Sequence, residues 1–248
     1  MRVLRRTGAP DIAVRVAGET DRGVPVVLVH GMASDNSTWR RLACALRARG
    51  RAVVSVDLRG HGRSGRAQGA YRLDDFRDDL TYVLDTLDIS TVDLVGHSLG
   101  AHTALRFAMS QPSRVRRLVL EEVPPMPRDE ADLSEGIAVK ATLGEQIRGL
   151  LALVRNPFPV IRYDGRMGDE IIAEFDVSAP HWWSGLPAVR AAAMVISGGD
   201  KSFLPPRHLR SLSDALPDSR FVTIEAGHSV HRDRGAEFIS HVEEFLAY

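Results

Sequence analysis

The sequence predicts an α/β protein built on a mostly parallel sheet with helices on both faces. Three observations carry that prediction. Short apolar runs recur along the chain, among them Val24 to Val29 (VPVVLV), Ala52 to Val56 (AVVSV) and Ala192 to Ser197 (AAMVIS). Runs of this kind suit strands covered on both faces. Between them lie amphipathic segments, the strongest carrying Leu73, Phe76, Leu80, Val83, Leu84 and Leu87 at helical spacing. Finally, His30, Ser98, Glu122, Asp200 and His228 each follow a strand-like run, which gathers them at the edge where ligands of such sheets bind.

The elements follow in order. Val3-Leu4 and Ile12 to Val16 read as short strands joined by a Gly8-Ala9-Pro10 turn. After the Val24 run, Trp39, Leu42, Ala43 and Leu46 mark a helix that Gly50 closes. The Ala52 run opens into the glycine-rich loop Asp57 to Gly65, and the Leu73 helix leads to a strand at Thr91 to Val95. Ala101, Ala104, Leu105 and Ala108 place the next helix, and Val115 to Val123 the next strand. At Pro124 the alternation stops. Residues 124–191 are expected to be a small helical cap inserted after the sixth strand, with one helix marked by Leu143, Ile147, Leu150, Leu151 and Val154. The pattern resumes with the Ala192 strand, a helix near Pro206 to Leu216, a strand at Arg220 to Glu225 and a last helix burying Phe238, Val242 and Phe245. The 248 residues are expected to form a single domain, 1–248, around this insertion.

Composition narrows the function classes. Lys plus Arg and Asp plus Glu both number 32, so the net charge is zero and nothing favours nucleic acid or an anionic membrane. No stretch reaches the roughly 20 apolar residues of a membrane span, and the basic start MRVLRRTGAPD has no apolar run behind it to make a signal peptide. The one cysteine, Cys44, is read as a small core residue, and an unpaired cysteine fits a cytoplasmic protein. No metal-ligand cluster, Rossmann glycine motif or P-loop is present, so no cofactor is expected. Oligomeric state is not written in the sequence.

The chemistry concentrates in Gly96-His97-Ser98-Leu99-Gly100, a G-x-S-x-G pattern between an apolar strand and a helix. A turn this tight throws the serine out of the sheet with its backbone strained, while glycines on either side let strand and helix nearly touch. A serine hydroxyl is a weak nucleophile at neutral pH and needs a base. His228, just beyond the last strand in AGHSVH, is the best placed of nine histidines. A developing oxyanion needs two donors; the N–H groups of Leu99 and Met32 are the candidates. His30, Gly31, Met32, His97, Trp182 and Trp183 are candidate pocket residues, with at least one tryptophan expected to face the substrate. His61 and His97 are read as holding their loops. Phe158, Tyr163 and Phe175 add apolar bulk to the cap.

Together, VLVHGMASDNSTW, DLRGHGRSG, LVGHSLGAHTAL and IEAGHSVHRD resemble the α/β-hydrolase fold, specifically its small single-domain esterase, lipase and haloperoxidase-like group. The resemblance spans nearly the whole chain except the insertion. It implies a mostly parallel sheet of about eight strands and a triad in the order nucleophile, acid, histidine. Relatives commonly place the acid in a G-x-x-D-x-x-x-P loop after the strand matching AAMVIS. Here that loop reads GGDKSFLP, with Lys201 at the expected spacing and Asp200 displaced by one. Other relatives take the acid from the end of the preceding strand, which here offers Glu121 and Glu122 in LVLEEVPP. The acid is left between Glu122, which is favoured, and Asp200. The resemblance implies a serine hydrolase acting on a small-molecule carboxylic ester, lactone or thioester with an apolar acyl group. A C–C hydrolase, perhydrolase or lyase-type relative, or a non-catalytic small-molecule receptor, stands as the alternative.

Overall fold

The computed structural model describes residues 1–135, 154 and 156–247. Eight strands form one sheet: β1 (Arg2–Leu4), β2 (Ile12–Ala17), β3 (Val26–Val29), β4 (Val53–Val56), β5 (Val92–His97), β6 (Val115–Glu121), β7 (Ala192–Ser197) and β8 (Ser219–Thr223). Their order is β1-β2-β4-β3-β5-β6-β7-β8, parallel from β4 to β8, with β1 and β2 antiparallel at one edge. The sequence expectation of a parallel sheet with both faces covered holds.

Alternation along the strands divides the core between the two faces. Val27, Val29 and Leu94 point to one side, where they pack with α2 (Leu73–Thr86), α3 (Leu99–Ser110) and α8 (Pro206–Ala215) through Phe76, Leu80, Ala104, Leu105 and Leu209. Val26, Leu28 and Val95 point to the other, against α1 (Arg40–Ala48) and α9 (Gly235–Ala247) through Leu42, Leu46, Phe238 and Val242. Trp39, fully buried, ends a short 3-10 turn (Asn36–Trp39) ahead of α1 rather than lying in the helix.

Cys44 corrects the sequence reading, for it is exposed. Leu42 and Leu46 face the sheet, and a residue midway between them is rotated about 200° away onto solvent.

Between β6 and β7 the described residues form α4 (Glu130–Glu135), α5 (Phe158–Ile161), α6 (Arg166–Phe175) and α7 (Pro180–Gly185). Of the helix expected from Leu143, Ile147, Leu150, Leu151 and Val154, only Val154 falls within the described residues, where it is exposed. Phe158, expected to add apolar bulk, is also exposed, on a helix too short to bury a face. The buried face of α6 is made by Met167 and Ile171. Two of its carboxylates reach α2, where Glu174 accepts the Leu73 N–H at 2.7 Å and Glu170 the neighbouring Tyr71 N–H at 2.6 Å. These acids satisfy orphan donors at a helix N-terminus, where the dipole also favours negative charge.

Candidate active site

Strand β5 ends at His97 and α3 begins at Leu99, so Ser98 makes the turn alone, at φ 50° and ψ −118°. That backbone is strained for a residue with a Cβ and is held from both sides. The Ser98 N–H donates to Glu121 O at 2.9 Å, and its carbonyl accepts the His102 N–H at 2.9 Å. Glycines make the turn possible by close approach. A Cβ at Gly96 would stand 2.5 Å from the Gly100 carbonyl oxygen, and one at Gly100 would overlap the carbonyls of Val29 and His30. The serine side chain itself is half-buried.

Strand β6 stops at Glu121 because Glu122 swings to φ 50°. The Glu122 carboxylate is fully buried yet well satisfied: it accepts the Gly198 N–H at 2.5 Å, the Ser202 hydroxyl and His228 Nδ1 at 3.0 Å. The carboxylate takes donors from three sides, so the Nδ1–H of His228 is directed at it. The His228 ring packs against Phe203 at 4.3 Å, and the His97 Nε2–H donates to the His228 carbonyl at 2.7 Å. Asp200, the other acid considered, is exposed on the 3-10 turn Gly199–Lys201. Glu121 engages a different histidine, accepting from the His231 N–H at 2.9 Å and its Nδ1 at 2.8 Å. Nothing in the sequence indicates that Ser202 and the Gly198 N–H would meet Glu122, or Phe203 the ring of His228. Their convergence depends on how the β7 loop closes over the β6 end.

The loop after β3 lies against the serine, since a Cβ at Gly31 would stand 3.2 Å from Ser98 Cβ. Two histidines fix it. His30 donates from Nδ1 to Gly31 O at 2.7 Å and accepts the Leu58 N–H at Nε2 at 3.0 Å. His61 donates from Nδ1 to Arg59 O at 2.9 Å and accepts the Ala33 N–H at Nε2 at 3.1 Å, holding Ala33 at φ 55°. Both rings are neutral in this role. Burial pushes His61 down to about 3 and also lowers His30. Among the described residues, the N–H groups of Met32 and Leu99 have no acceptor. As pocket walls, His30 and His97 need correcting: they are 0% and 7% exposed, and their bonds run to the protein interior. Burial holds His97 well below its ordinary value.

The described segment between β6 and β7 packs aromatic rings against α3. Trp182 of α7 is buried, stacks on His102 at 5.4 Å with the rings 5° apart, and meets Trp183 edge-on at 5.4 Å. Trp183 is half-buried and donates its Nε1–H to Met126 O at 2.7 Å. Ligand atoms of His97, Glu121 and His231 lie within 4.8 Å of one another. However, Glu121 is already taken by His231 and His97 Nε2 by a carbonyl, so the group is a satisfied hydrogen-bond network.

A strained serine at a strand–helix turn and a hydrogen-bonded carboxylate–histidine pair beyond two further strands lie at the same edge of the sheet. Residues 24–159 match the family model described as alpha/beta hydrolase fold, and the chain belongs to that family. It is 29% identical over 262 residues to a 2-hydroxymuconate semialdehyde hydrolase of a Pseudomonas species, covering 92% of this chain and 89% of the relative. Among solved structures it resembles an enol-lactonase from Burkholderia xenovorans (TM-score 0.75, 22% identity, 100% of both chains). It also resembles an esterase from Exiguobacterium antarcticum (TM-score 0.81, 19% identity, 99% of both chains). No helix among the described residues is long and apolar enough to cross a membrane.

Proposed function

We propose that the protein is a serine hydrolase that cleaves a carboxylic ester, lactone or thioester with an apolar acyl group through an acyl-enzyme on Ser98. The observation that carries this reading is the 3.0 Å contact between His228 Nδ1 and the buried Glu122, on a histidine that shares the strand-end edge with Ser98. In the proposed reaction, Ser98 Oγ attacks the acyl carbon as His228 Nε2 takes its proton. Glu122 steadies the resulting imidazolium. The oxyanion is held by the N–H groups of Leu99 and Met32, which have no acceptor among the described residues, in support of the assignment. His228 then gives its proton to the leaving oxygen or sulfur. Water repeats the sequence on the acyl-enzyme and frees the acid. Residues 124–191 act as a cap over the site, with Trp182 and Trp183 nearest the acyl chain.

Fluorophosphonate labelling followed by peptide mass spectrometry tests the nucleophile. The label is expected on Ser98, and Ser98→Ala should abolish it together with turnover of p-nitrophenyl esters. Labelling of another residue, or ester turnover surviving in Ser98→Ala, overturns the reading.

The identity to a semialdehyde hydrolase over most of the chain favours one second reading, a C–C hydrolase using the same groups. Comparing turnover of 2-hydroxymuconate semialdehyde with that of p-nitrophenyl esters separates the two. A receptor would turn over neither.

A further inference from the structure

His102 and Trp182 form a pair whose ring N–H groups the proposed reaction does not use. His102 lies in the first turn of α3, its N–H bonded to Ser98 O at 2.9 Å. The ring is 0% exposed and lies between cap residues, edge-on to Phe175 at 5.3 Å and parallel to Trp182. Its Nδ1 accepts from Arg106 Nε at 3.2 Å, so in the neutral ring the proton sits on Nε2. Burial first, and Arg106 second, hold the ring well below its ordinary value and keep it neutral. His102 Nε2 and Trp182 Nε1 are therefore both N–H donors, and neither has an acceptor among the described residues.

Two orphan donors on a pair of buried, stacked rings are unusual, since each buried N–H left unsatisfied costs roughly 1–3 kcal/mol. One donor belongs to the floor of the fold and the other to the cap, so an acceptor inserted at the edge of their stack would also draw cap and floor together. The acceptor's chemistry can be narrowed. The surroundings that keep His102 uncharged, Phe175, Trp182 and the helix interior, would equally penalise a carboxylate. Among the described residues, Arg106 is already paired with Asp74 at 2.6 Å, and Arg128, which lies over Trp183, with Asp132 at 3.2 Å. A neutral oxygen suits the site.

We propose that the edge of the His102–Trp182 stack is a subsite for a neutral carbonyl oxygen carried on the acyl chain, several atoms from the scissile group. The protein would thus prefer oxo-acyl substrates over plain alkyl ones. This rests on the reading of Ser98 as the nucleophile, which places the acyl chain beside α3.

The test compares p-nitrophenyl 5-oxohexanoate with p-nitrophenyl hexanoate, the plain ester serving as internal reference for each protein. In the parent protein kcat/KM should favour the oxo ester by about tenfold, the worth of one to two buried hydrogen bonds. His102→Phe keeps a ring but not the donor and should bring the ratio to about one. Trp182→Phe should lower it part-way, and His102→Gln, which retains an N–H, should restore part of it. Binding of N-butyl 5-oxohexanamide against N-butyl hexanamide to the Ser98→Ala protein, followed by calorimetry, asks the same question without catalysis. Equal binding of the two amides, or an oxo preference that survives both His102→Phe and Trp182→Phe, overturns the subsite. If neither ester is turned over, the hydrolase reading fails while the amide comparison still decides the subsite.

Discussion

At the scale of single residues, one backbone dihedral separates the two neighbouring glutamates. Strand alternation points Glu121 and Glu122 to opposite faces, and the swing of Glu122 to φ 50° carries its carboxylate over the end of β6 toward the β7 and β8 loops. There it gains the Gly198 N–H, the Ser202 hydroxyl and His228, while Glu121 takes His231. The Glu122→Gln variant keeps the volume but offers the His228 N–H a weaker acceptor, and can present a second donor to it. In single-turnover ester cleavage its rate should fall by about 10³–10⁴, whereas Asp200→Asn, altering an exposed turn residue, should stay within about threefold of the parent. The reverse ranking would move the acid to Asp200. The sequence could nominate Glu122, because a carboxylate in the apolar run LVLEEV needs a reason. It could not show the positive φ or the Ser202 hydroxyl, since both depend on chain segments distant in sequence.

At the scale of elements, the site is an assembly of loops, each pinned by buried side chains. His61 joins the β3 loop to the Asp57–Gly65 loop through Ala33 and Arg59, and His30 joins the same pair through Leu58. The proposed oxyanion donor, Met32, is flanked by these two anchors, Gly31 and Ala33. Removing the His61 ring should therefore let the donor drift without touching substrate. His61→Ala should lower kcat by about ten- to a hundredfold with little change in KM, the signature of a transition-state contact misplaced by an ångström or less. It should also destabilise the fold by roughly 1–3 kcal/mol, because the Ala33 N–H loses its acceptor. A fall in melting temperature with kcat unchanged would make His61 structural only. The elements themselves were legible: strand and helix positions follow the apolar periodicity. Cys44 was misplaced because an apolar run in a short helix does not reveal which residues face the sheet until Leu42 and Leu46 are seen to pack there. The pocket reading of His30 and His97 fails for a related reason, while the reading of His97 as a loop-holding residue fits. A histidine in a functional loop reads as a ligand contact, yet His30 gives both ring nitrogens, and His97 its Nε2, to backbone groups inside the protein.

At the scale of the whole molecule, the balanced charge conceals a cluster of buried histidines that makes the fold sensitive to acid. His30, His61, His97 and His102 are at most 7% exposed, and burial lowers all four from the ordinary value of 6.5, His61 to about 3. The sign follows from where protons bind. Between about pH 6.5 and 3 the unfolded chain protonates these rings while the folded protein resists, so stability rises with pH across that window and falls as pH drops. Above about pH 7 both states hold neutral rings and the contribution is constant. Each fully resisting histidine then removes up to ~1.4 kcal/mol of stability per pH unit below its unfolded value. Urea unfolding midpoints should accordingly be level between pH 7.5 and 8.5 and drop steeply between pH 6.5 and 5. His102→Phe deletes one of the four titrations and should make that drop shallower than in the parent, whatever it does to absolute stability. Midpoints that remain level from pH 7 to pH 5, or a decline that His102→Phe leaves equally steep, would mean that the buried rings are not what limits the fold in acid.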